Sequence, residues 1–385
     1  MPTTAMNGYD LFQHLGLSPV INAAGIYTDL GGSRLSPRAW AAAEAINDHF
    51  VRMTDLLDKS GERIADLLGV EAARITPGAA AAIFLGTAAC LAGTDGDKSQ
   101  QLPDITGMKR DVLIQAGHRY KYDRQVAMTG AALREVGSEN GTRPDQLDAA
   151  IGENTAAILH PAHLDGKPGT LALEQVVRIA RARGVPVIVD AAYMNYPTSI
   201  MGDYARRGAD LVCISAKYFG GPNAGGFIMG RKDLIQAVSN VHFTRYESGK
   251  YLKLGRPLKM DRQTIIAVLV ALEEWLAMDH AARFAGYRRQ VAMLERRLSG
   301  LTDLKAEPKC FTMDERFIDE PVNCLLLTFD GAKNGKSAAQ VARRLEESSP
   351  PIIAILEGDK IGIVMDVLKD DEVSYIGDRL VEVMS

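Results

Sequence analysis

The sequence predicts an α/β fold in which helices cover both faces of a mainly parallel sheet. Strand-like and helix-like segments alternate between residues 71 and 230, as a parallel sheet with crossover helices requires. Two segments, 185–189 and 209–214, are predominantly apolar and short, which is typical of strands buried on both faces. A helical segment at 263–298, broken near Asp279, leads to a smaller region that we predict to be α+β.

We predict three parts: an N-terminal arm and helix (1–50), a large domain (51–262), and a linking helix with a small C-terminal domain (263–385). Ser36 and Pro37 suit the N-cap and first position of a helix, and Gly69 suits the end of the next one. We expect residues 93–110 to form a long loop and Tyr122 to open a further helix.

Composition excludes several classes of protein. The 385 residues are 46% hydrophobic, which is ample for a large core, and the net charge of −4 gives no sign of nucleic-acid binding. The four cysteines lie far apart without a CxxC pair, so we expect neither a zinc site nor a disulfide framework. The sequence has no signal-peptide pattern and no apolar run of membrane-spanning length. We therefore expect a cytoplasmic protein without a membrane partner.

Two of the predicted buried strands lead to side chains that could take part in catalysis or bind a cofactor. Asp190 ends one strand, and Lys217 follows the next, two residues after Ser215 and just before the glycine-rich run 220–226. Ligands of open α/β sheets bind at this edge. A lysine here can form a Schiff base with pyridoxal phosphate, and an aspartate can hold the protonated pyridine nitrogen. Either residue alone would suggest a helix cap or a solvated side chain, but the pair, with Ala192, favours a cofactor site.

Further candidates lie at other strand ends. Gly78, Ala79 and Ala80 begin an alanine-rich helix whose free backbone amides could bind a phosphate, although such a helix could also be a packing element. His118 is the candidate for a ring stacked on the cofactor, the alternative being a capping or core histidine. His163 could contact substrate. A metal site is not expected, because no carboxylate cluster accompanies these histidines.

The chain resembles fold-type I pyridoxal phosphate enzymes, and within them the selenocysteine synthase group, which includes D-glucosaminate-6-phosphate ammonia-lyase. The matching stretches are Ile21–Gly25, Val189–Ala192, Ile214–Lys217 with Gly220–Pro222, and Pro257–Arg262. The resemblance implies an aminotransferase-like fold with a mainly parallel, seven-stranded sheet and a small C-terminal domain. It also implies a homodimer or higher oligomer.

The resemblance further implies roles for the candidate residues. Lys217 would hold pyridoxal phosphate covalently and then serve as the proton-transfer base at the substrate α-carbon. Asp190 would keep the pyridine nitrogen protonated. Ser215 and the backbone of 78–80 would bind the phosphate, while Ala192 and His118 would pack on the two faces of the ring.

The chain departs from selenocysteine synthase in two respects. As given, it starts at the catalytic region, without that family's N-terminal tRNA-binding domain, and it carries Ile355 where an arginine is expected. We therefore expect no selenium transfer to tRNA. We predict β-elimination of water from a hydroxylated amino acid or amino sugar acid, giving a keto acid and ammonia. A racemase, an aldolase, a transaminase or a non-catalytic, cofactor-binding regulatory subunit are the alternatives.

The segment 242–262 is rich in positive charge. Its six cations against two anions give a local charge of +4, which could receive an acidic or phosphorylated substrate or could simply be a solvated loop. The candidate substrate-binding residues are Arg245, Arg256, Lys259 and Arg262. His118 or His163 could protonate the leaving group, and the sequence does not choose between them.

Overall fold

A computed structural model describes residues 8–301, 304–329 and 336–384, and it divides the chain into two compact units. One unit is Ser33–Ala277, and the other combines Met1–Gly32 with Met278–Ser385. The predicted domain boundaries after residues 50 and 262 do not coincide with the ends of these units. The reason is that the helix Pro37–Asn47 packs on the helix Arg262–Ala277 within one unit.

The strands are, in chain order, β1 (Ile21–Ala23), β2 (Ala72–Thr76), β3 (Asp111–Gln115), β4 (Ala132–Val136), β5 (Thr155–Pro161), β6 (Val187–Asp190), β7 (Leu211–Ser215), β8 (Gly226–Gly230), β9 (Leu304–Phe311), β10 (Phe317–Ile318), β11 (Cys324–Phe329), β12 (Ile352–Glu357) and β13 (Lys360–Val364).

The helices are α1 (Gly8–Leu15), α2 (Pro37–Asn47), α3 (Met53–Leu68), α4 (Gly78–Ala92), α5 (Gly96–Gln101), α6 (Pro144–Ala150), α7 (Leu173–Ala182), α8 (Ile200–Arg206), α9 (Lys232–Val241), α10 (Arg262–Ala277), α11 (His280–Leu298), α12 (Ala338–Glu346) and α13 (Asp370–Met384).

The unit Ser33–Ala277 is built on a seven-stranded sheet of order β2-β8-β7-β6-β5-β3-β4. Strand β8 runs antiparallel to β2 and β7, and the other neighbouring pairs are parallel. Strands β6 and β7 are buried along their whole length, because helices cover both faces of the sheet. The predicted mainly parallel sheet is therefore confirmed.

Two apolar clusters fill the two sides of this sheet. One joins the sheet to α3, α7 and α10, and the other joins it to α4 and α9. Helix α4 is apolar almost all round, and most of its residues are buried, as expected for a helix enclosed by its neighbours. This packing fixes the N-terminus of α4 at the edge where the parallel strands end.

The second unit has a sheet of order β1-β12-β13-β11-β9-β10, packed with α11, α12 and α13 around its own apolar cluster. Strand β1 is parallel to β12, and the remaining pairs are antiparallel. The predicted α+β character of the C-terminal region is thus found. In the part of the chain that the structure describes, no helix is both long enough and apolar enough to cross a membrane.

Two local expectations are corrected, and two elements were not predicted. The predicted loop 93–110 contains α5, because the Asp95 carboxylate accepts hydrogen bonds from the amides of Asp97 and Lys98 and so caps a short helix. The helix expected from Tyr122 is only a pair of 3-10 turns, which end at Gly130 with φ of 93°. Helix α8 and strand β10 were not expected from the sequence.

Candidate active site

Four neighbouring parallel strands end in the candidate residues. In the sheet order β7-β6-β5-β3, Lys217 follows β7, Asp190 ends β6, His163 follows β5 and His118 follows β3. The C-terminal ends of parallel strands meet at one edge of a sheet, so the topology brings these side chains to a common face. This edge is the candidate active site.

Asp190 is a buried carboxylate with both oxygens engaged. Its Oδ1 accepts a hydrogen bond from the Ala192 amide at 3.1 Å, and its Oδ2 accepts one from the Tyr120 hydroxyl at 2.6 Å. Burial raises the pKa of Asp190, while the bonds from Tyr120 and Ala192 and the proximity of His163 act in the opposite direction. A cation against this carboxylate would favour its ionised form, and a protonated pyridine nitrogen is such a cation.

Lys217 lies in a 3-10 turn and is only 9% exposed. Its Nζ lies 4.9 Å from the centroid of the Tyr218 ring. The glycine-rich run folds back on this turn, since the Ala216 amide donates to the Gly225 carbonyl and the Gly221 amide donates to the Ala216 carbonyl. A lysine held in this way is a buried amine at the end of a central strand.

The start of α4 suits a phosphate group. Gly78 has φ of 87°, and Pro77 before it provides no side-chain cap, so the first amides of the helix, at Ala79 and Ala80, are not used by a capping side chain. A Cβ on Gly226 would lie 2.8 Å from the Gly78 Cα, so only glycine allows this approach. Buried Ser215 is the β-sheet partner of Gly226. Amides at a helix N-terminus, with a hydroxyl close by, could hold a phosphate.

His118 is fully buried at the end of β3. Its ring meets the ring of His160 edge to face, with centroids 5.0 Å apart. Burial and the neighbouring His160 lower the pKa of His118 to about 4. This side chain is therefore a neutral ring at neutral pH.

His163 lies among aromatic rings. Its centroid is 5.2 Å from that of Tyr120 and 5.9 Å from that of Tyr193. Tyr193 in turn lies 5.9 Å from Tyr218, next to Lys217. His163 is only partly buried, and it lies close enough to Asp190 to lower the pKa of that carboxylate, against the effect of burial.

Tyr120 was not predicted from the sequence to be a site residue. It follows His118 by two positions, but its contact with Asp190 crosses 70 residues of chain. Burial, together with the nearby Asp190, raises the pKa of Tyr120 far above its ordinary value, so the hydroxyl keeps its proton. A tyrosine close after a strand-end histidine was the one available signal, and it does not reveal the partner.

The predicted cationic patch is only partly available for a ligand. Arg256 pairs with Glu247 at 2.8 Å, and Arg262 donates to the carbonyls of Ile46 and Asn47 at 3.0 and 2.9 Å. Arg245 and Lys259 are exposed, and Arg245 has φ of 60°, an uncommon conformation for a non-glycine residue. Within the described ranges, no cluster of three metal-ligating side chains occurs.

The fold and this strand edge define the class of a fold-type I pyridoxal phosphate-dependent enzyme. A family model described as SelA, L-seryl-tRNA selenium transferase, matches residues 20–283, and the chain belongs to this family. The predicted recognition, fold class, cofactor and enzyme class are confirmed, because members of this family and fold, including an ammonia-lyase and aminotransferases, depend on pyridoxal phosphate.

Two curated relatives carry different names. A Streptomyces protein named 5'-C-glycyluridine monooxygenase-decarboxylase is 32% identical over 89% of this chain and 83% of its own length. A D-glucosaminate-6-phosphate ammonia lyase of Salmonella typhimurium is 33% identical over 69% of this chain and 70% of its own length. A solved structure of D-glucosaminate-6-phosphate ammonia-lyase has a TM-score of 0.85, 28% identity and 99% coverage of both chains. Lyase chemistry is thus supported, and the two names indicate different reactions within one family.

Proposed function

We propose that this protein is a pyridoxal phosphate-dependent lyase that removes water and ammonia from an α-amino acid whose side chain is a hydroxylated, sugar-derived chain. The observation that carries the proposal is the pairing of buried Lys217 and Asp190 at the ends of adjacent parallel strands. The names of the two relatives support the substrate class, because both describe an amino acid joined to sugar-derived carbons.

The residues divide the task of holding the cofactor. Asp190, oriented by Tyr120 and Ala192, would face the pyridine nitrogen, and Ala192 would pack against the ring. The His118 ring has no exposed surface, so we do not propose that it stacks on the cofactor. Ser215 and the amides of residues 78–80 would hold the phosphate. Pyridoxal phosphate, when bound, withdraws electrons from the substrate α-carbon.

Proton transfer falls to the remaining groups. Lys217 Nζ would remove the α-proton, since it is the buried amine at this edge. A hydroxyl leaves the β-carbon more easily when it is protonated, and His118 or His163 would supply that proton.

An acidic or phosphorylated end of the substrate would be received by the segment 242–262. Of the four predicted cations, Arg256 and Arg262 already have partners within the chain, so Arg245 and Lys259 are the ones that we propose to contact it first. Arginine would bind such a group through two parallel hydrogen bonds.

The test is to incubate the purified protein and pyridoxal phosphate with D-glucosaminate 6-phosphate and with simpler β-hydroxy amino acids, without any keto acid, and to measure ammonia. Ammonia and keto acid in equal amounts support the lyase, whereas amino transfer only when a keto acid is added would contradict it. Arg245→Ala and Lys259→Ala should raise KM more for phosphorylated than for neutral substrates. Lys232→Ala, at the start of α9, is the matched control.

A second candidate is supported by the 32% identity to a monooxygenase-decarboxylase over most of the chain. Such an enzyme would consume dioxygen and release carbon dioxide. Running the same substrates and 5'-C-glycyluridine with and without dioxygen separates the two reactions, because ammonia release by a lyase does not depend on dioxygen.

A further inference from the structure

Both ring nitrogens of His118 face fixed polar partners. Nδ1 lies 3.3 Å from the Gln115 side-chain nitrogen, and Nε2 lies 3.1 Å from the Thr170 hydroxyl oxygen. A neutral imidazole has one donor and one acceptor nitrogen, so the partners decide which nitrogen carries the proton.

The Gln115 amide is held in one orientation by the main chain. Its oxygen accepts a hydrogen bond from the Leu171 amide at 2.7 Å, and its nitrogen donates to the Leu171 carbonyl at 2.9 Å. Turning the amide over would place its NH2 group against the Leu171 N–H and its oxygen against the Leu171 carbonyl. The group that faces His118 is therefore an N–H donor, and Nδ1 must be the acceptor.

Thr170 leads to the same assignment independently. Its hydroxyl donates to the Lys167 carbonyl at 2.7 Å, which leaves the oxygen free to accept from the Nε2–H of His118. Protonating Nδ1 as well would direct an N–H at the N–H of Gln115. The hydrogen bonds on both sides of the ring thus favour the neutral form with its proton on Nε2.

The charged and titratable groups around the His118 ring do not favour a second proton on it. His160 approaches from β5, and Lys167 and Asp165 approach from the segment before α7. Asp165 is already engaged, at 3.1 Å from Arg207 and 3.3 Å from His160 Nε2. Burial, His160 and Lys167 lower the pKa of His118 to about 4, against the opposing influence of the Leu164 carbonyl and Asp165.

We propose that Gln115 and Thr170 are positioning residues that hold His118 as a neutral ring protonated on Nε2, and that His163 therefore supplies the proton to the leaving group. A neutral ring without exposed surface has no proton to deliver to a leaving group, which leaves His163 for this step. The part concerning His163 rests on the proposed function, whereas the part concerning His118 does not.

The state of His118 is read from nitrogen NMR of the full-length protein with bound pyridoxal phosphate and 15N-labelled histidine. His118→Asn identifies the signal by its loss. We expect one protonated and one unprotonated nitrogen in His118, unchanged from about pH 5.5 to about pH 8.5, the range in which ordinary histidines titrate. Titration of His118 within this range, or a proton on Nδ1, would overturn the proposal.

Variants test the two partners. Gln115→Glu places a carboxylate beside Nδ1 and should make His118 titrate within that range, whereas Gln146→Glu, at the exposed cap of α6, should change nothing. Thr170→Val should broaden the Nε2–H signal through faster exchange with water, and Thr170→Ser should restore it. An unchanged His118 signal in both Gln115→Glu and Thr170→Val would refute the roles of these residues.

The role of His163 as a proton donor is tested by changing the leaving group of the substrate. His163→Gln should lower kcat on a β-hydroxy substrate by about 100-fold or more, as expected for loss of a general acid, but should spare a β-chloro analogue whose leaving group needs no proton. Equal loss on both substrates would contradict the role of His163. If the wild-type protein releases no ammonia from either substrate, the proposed function fails, and the NMR result on His118 stands separately.

Discussion

Replacing Tyr120 by phenylalanine removes one hydroxyl and leaves the ring in place. The hydroxyl donates to Asp190 Oδ2 at 2.6 Å. A hydrogen bond to a charged acceptor is worth about 1.5–3 kcal/mol, and one to a neutral acceptor about 0.5–1.5 kcal/mol. The Tyr120 bond therefore favours the ionised form of Asp190 by about 1–1.5 kcal/mol, against the burial that raises the pKa of this carboxylate.

Loss of the Tyr120 hydroxyl should therefore change the affinity for pyridoxal phosphate. A protonated pyridine nitrogen needs an ionised Asp190, so Tyr120→Phe should weaken pyridoxal phosphate binding about five- to tenfold where Asp190 of the free protein is protonated. The difference from wild type should shrink as the pH rises, because Asp190 then ionises in both proteins. Titrating the cofactor-free protein with pyridoxal phosphate at several pH values, followed by absorbance, measures Kd directly.

Two further variants make this result specific. Tyr122→Phe, a neighbouring and more exposed tyrosine, is the matched control and should bind the cofactor like the wild type. Asp190→Asn should weaken binding and nearly abolish turnover, and Tyr120→Phe should add little in that background, because the charge that Tyr120 stabilises is gone. An equal effect of Tyr120→Phe with and without Asp190 would refute the reasoning.

The remaining predictions concern the lysine, the assembly and the second unit. Lys217→Ala should lose the borohydride-reducible cofactor adduct; mapping that adduct to another lysine in the wild type would contradict the assignment. We predict at least a homodimer by sedimentation, and Phe50→Ser should weaken it, because Phe50 and Trp40 are 94% and 65% exposed; an active wild-type monomer would disprove this. Burial raises the pKa of Asp366 to about 6, despite a hydrogen bond from Asn323. Its stabilising contribution is thus present below about pH 4 and lost as the pH rises through about 6. Asp366→Asn should stabilise the protein by about 3 kcal/mol above pH 7, measured as the free energy of unfolding, and a gain of the same size at pH 4 would contradict this account.

The strand-end residues were predictable because a buried parallel strand has a strong local signature. Short, predominantly apolar segments place Asp190 at the end of β6 and Lys217 two residues after β7, and the general rule for open sheets brings those ends together. The seven-stranded sheet itself came from the family resemblance. Its antiparallel strand β8 has no signature that distinguishes it from a parallel one.

Contacts across the sheet edge could not be predicted. The bond between Tyr120 and Asp190 spans 70 residues, and the bonds between Gln115 and Leu171 span 56. Such contacts depend on which strands are neighbours, and periodicity along the chain does not contain that information. Helix α5 was missed for a local reason, since the capping geometry of Asp95 outweighs the loop-like composition around it.

The net charge of segment 242–262 does not predict how many of its cations can bind a substrate. Its +4 charge is real, but the Arg262 guanidinium donates to main-chain carbonyls at the end of α2, and Arg256 pairs with Glu247. A guanidinium used in this way stabilises the fold and contributes little to binding a ligand. The cations that remain for a substrate are therefore fewer than the sequence suggests.

The reaction must be decided by residues other than the strand-end pair. Lys217 and Asp190 would act on the α-carbon and the pyridine nitrogen, which elimination, racemisation and amino transfer all require. Elimination alone also needs a proton at the β-carbon substituent, and a His118 ring that is buried and neutral cannot readily supply it. His163 is partly buried between Tyr120 and Tyr193, and it is the histidine that we propose to approach that substituent. Differences between the lyase and the monooxygenase-decarboxylase relatives should therefore be sought around His163 rather than around the lysine.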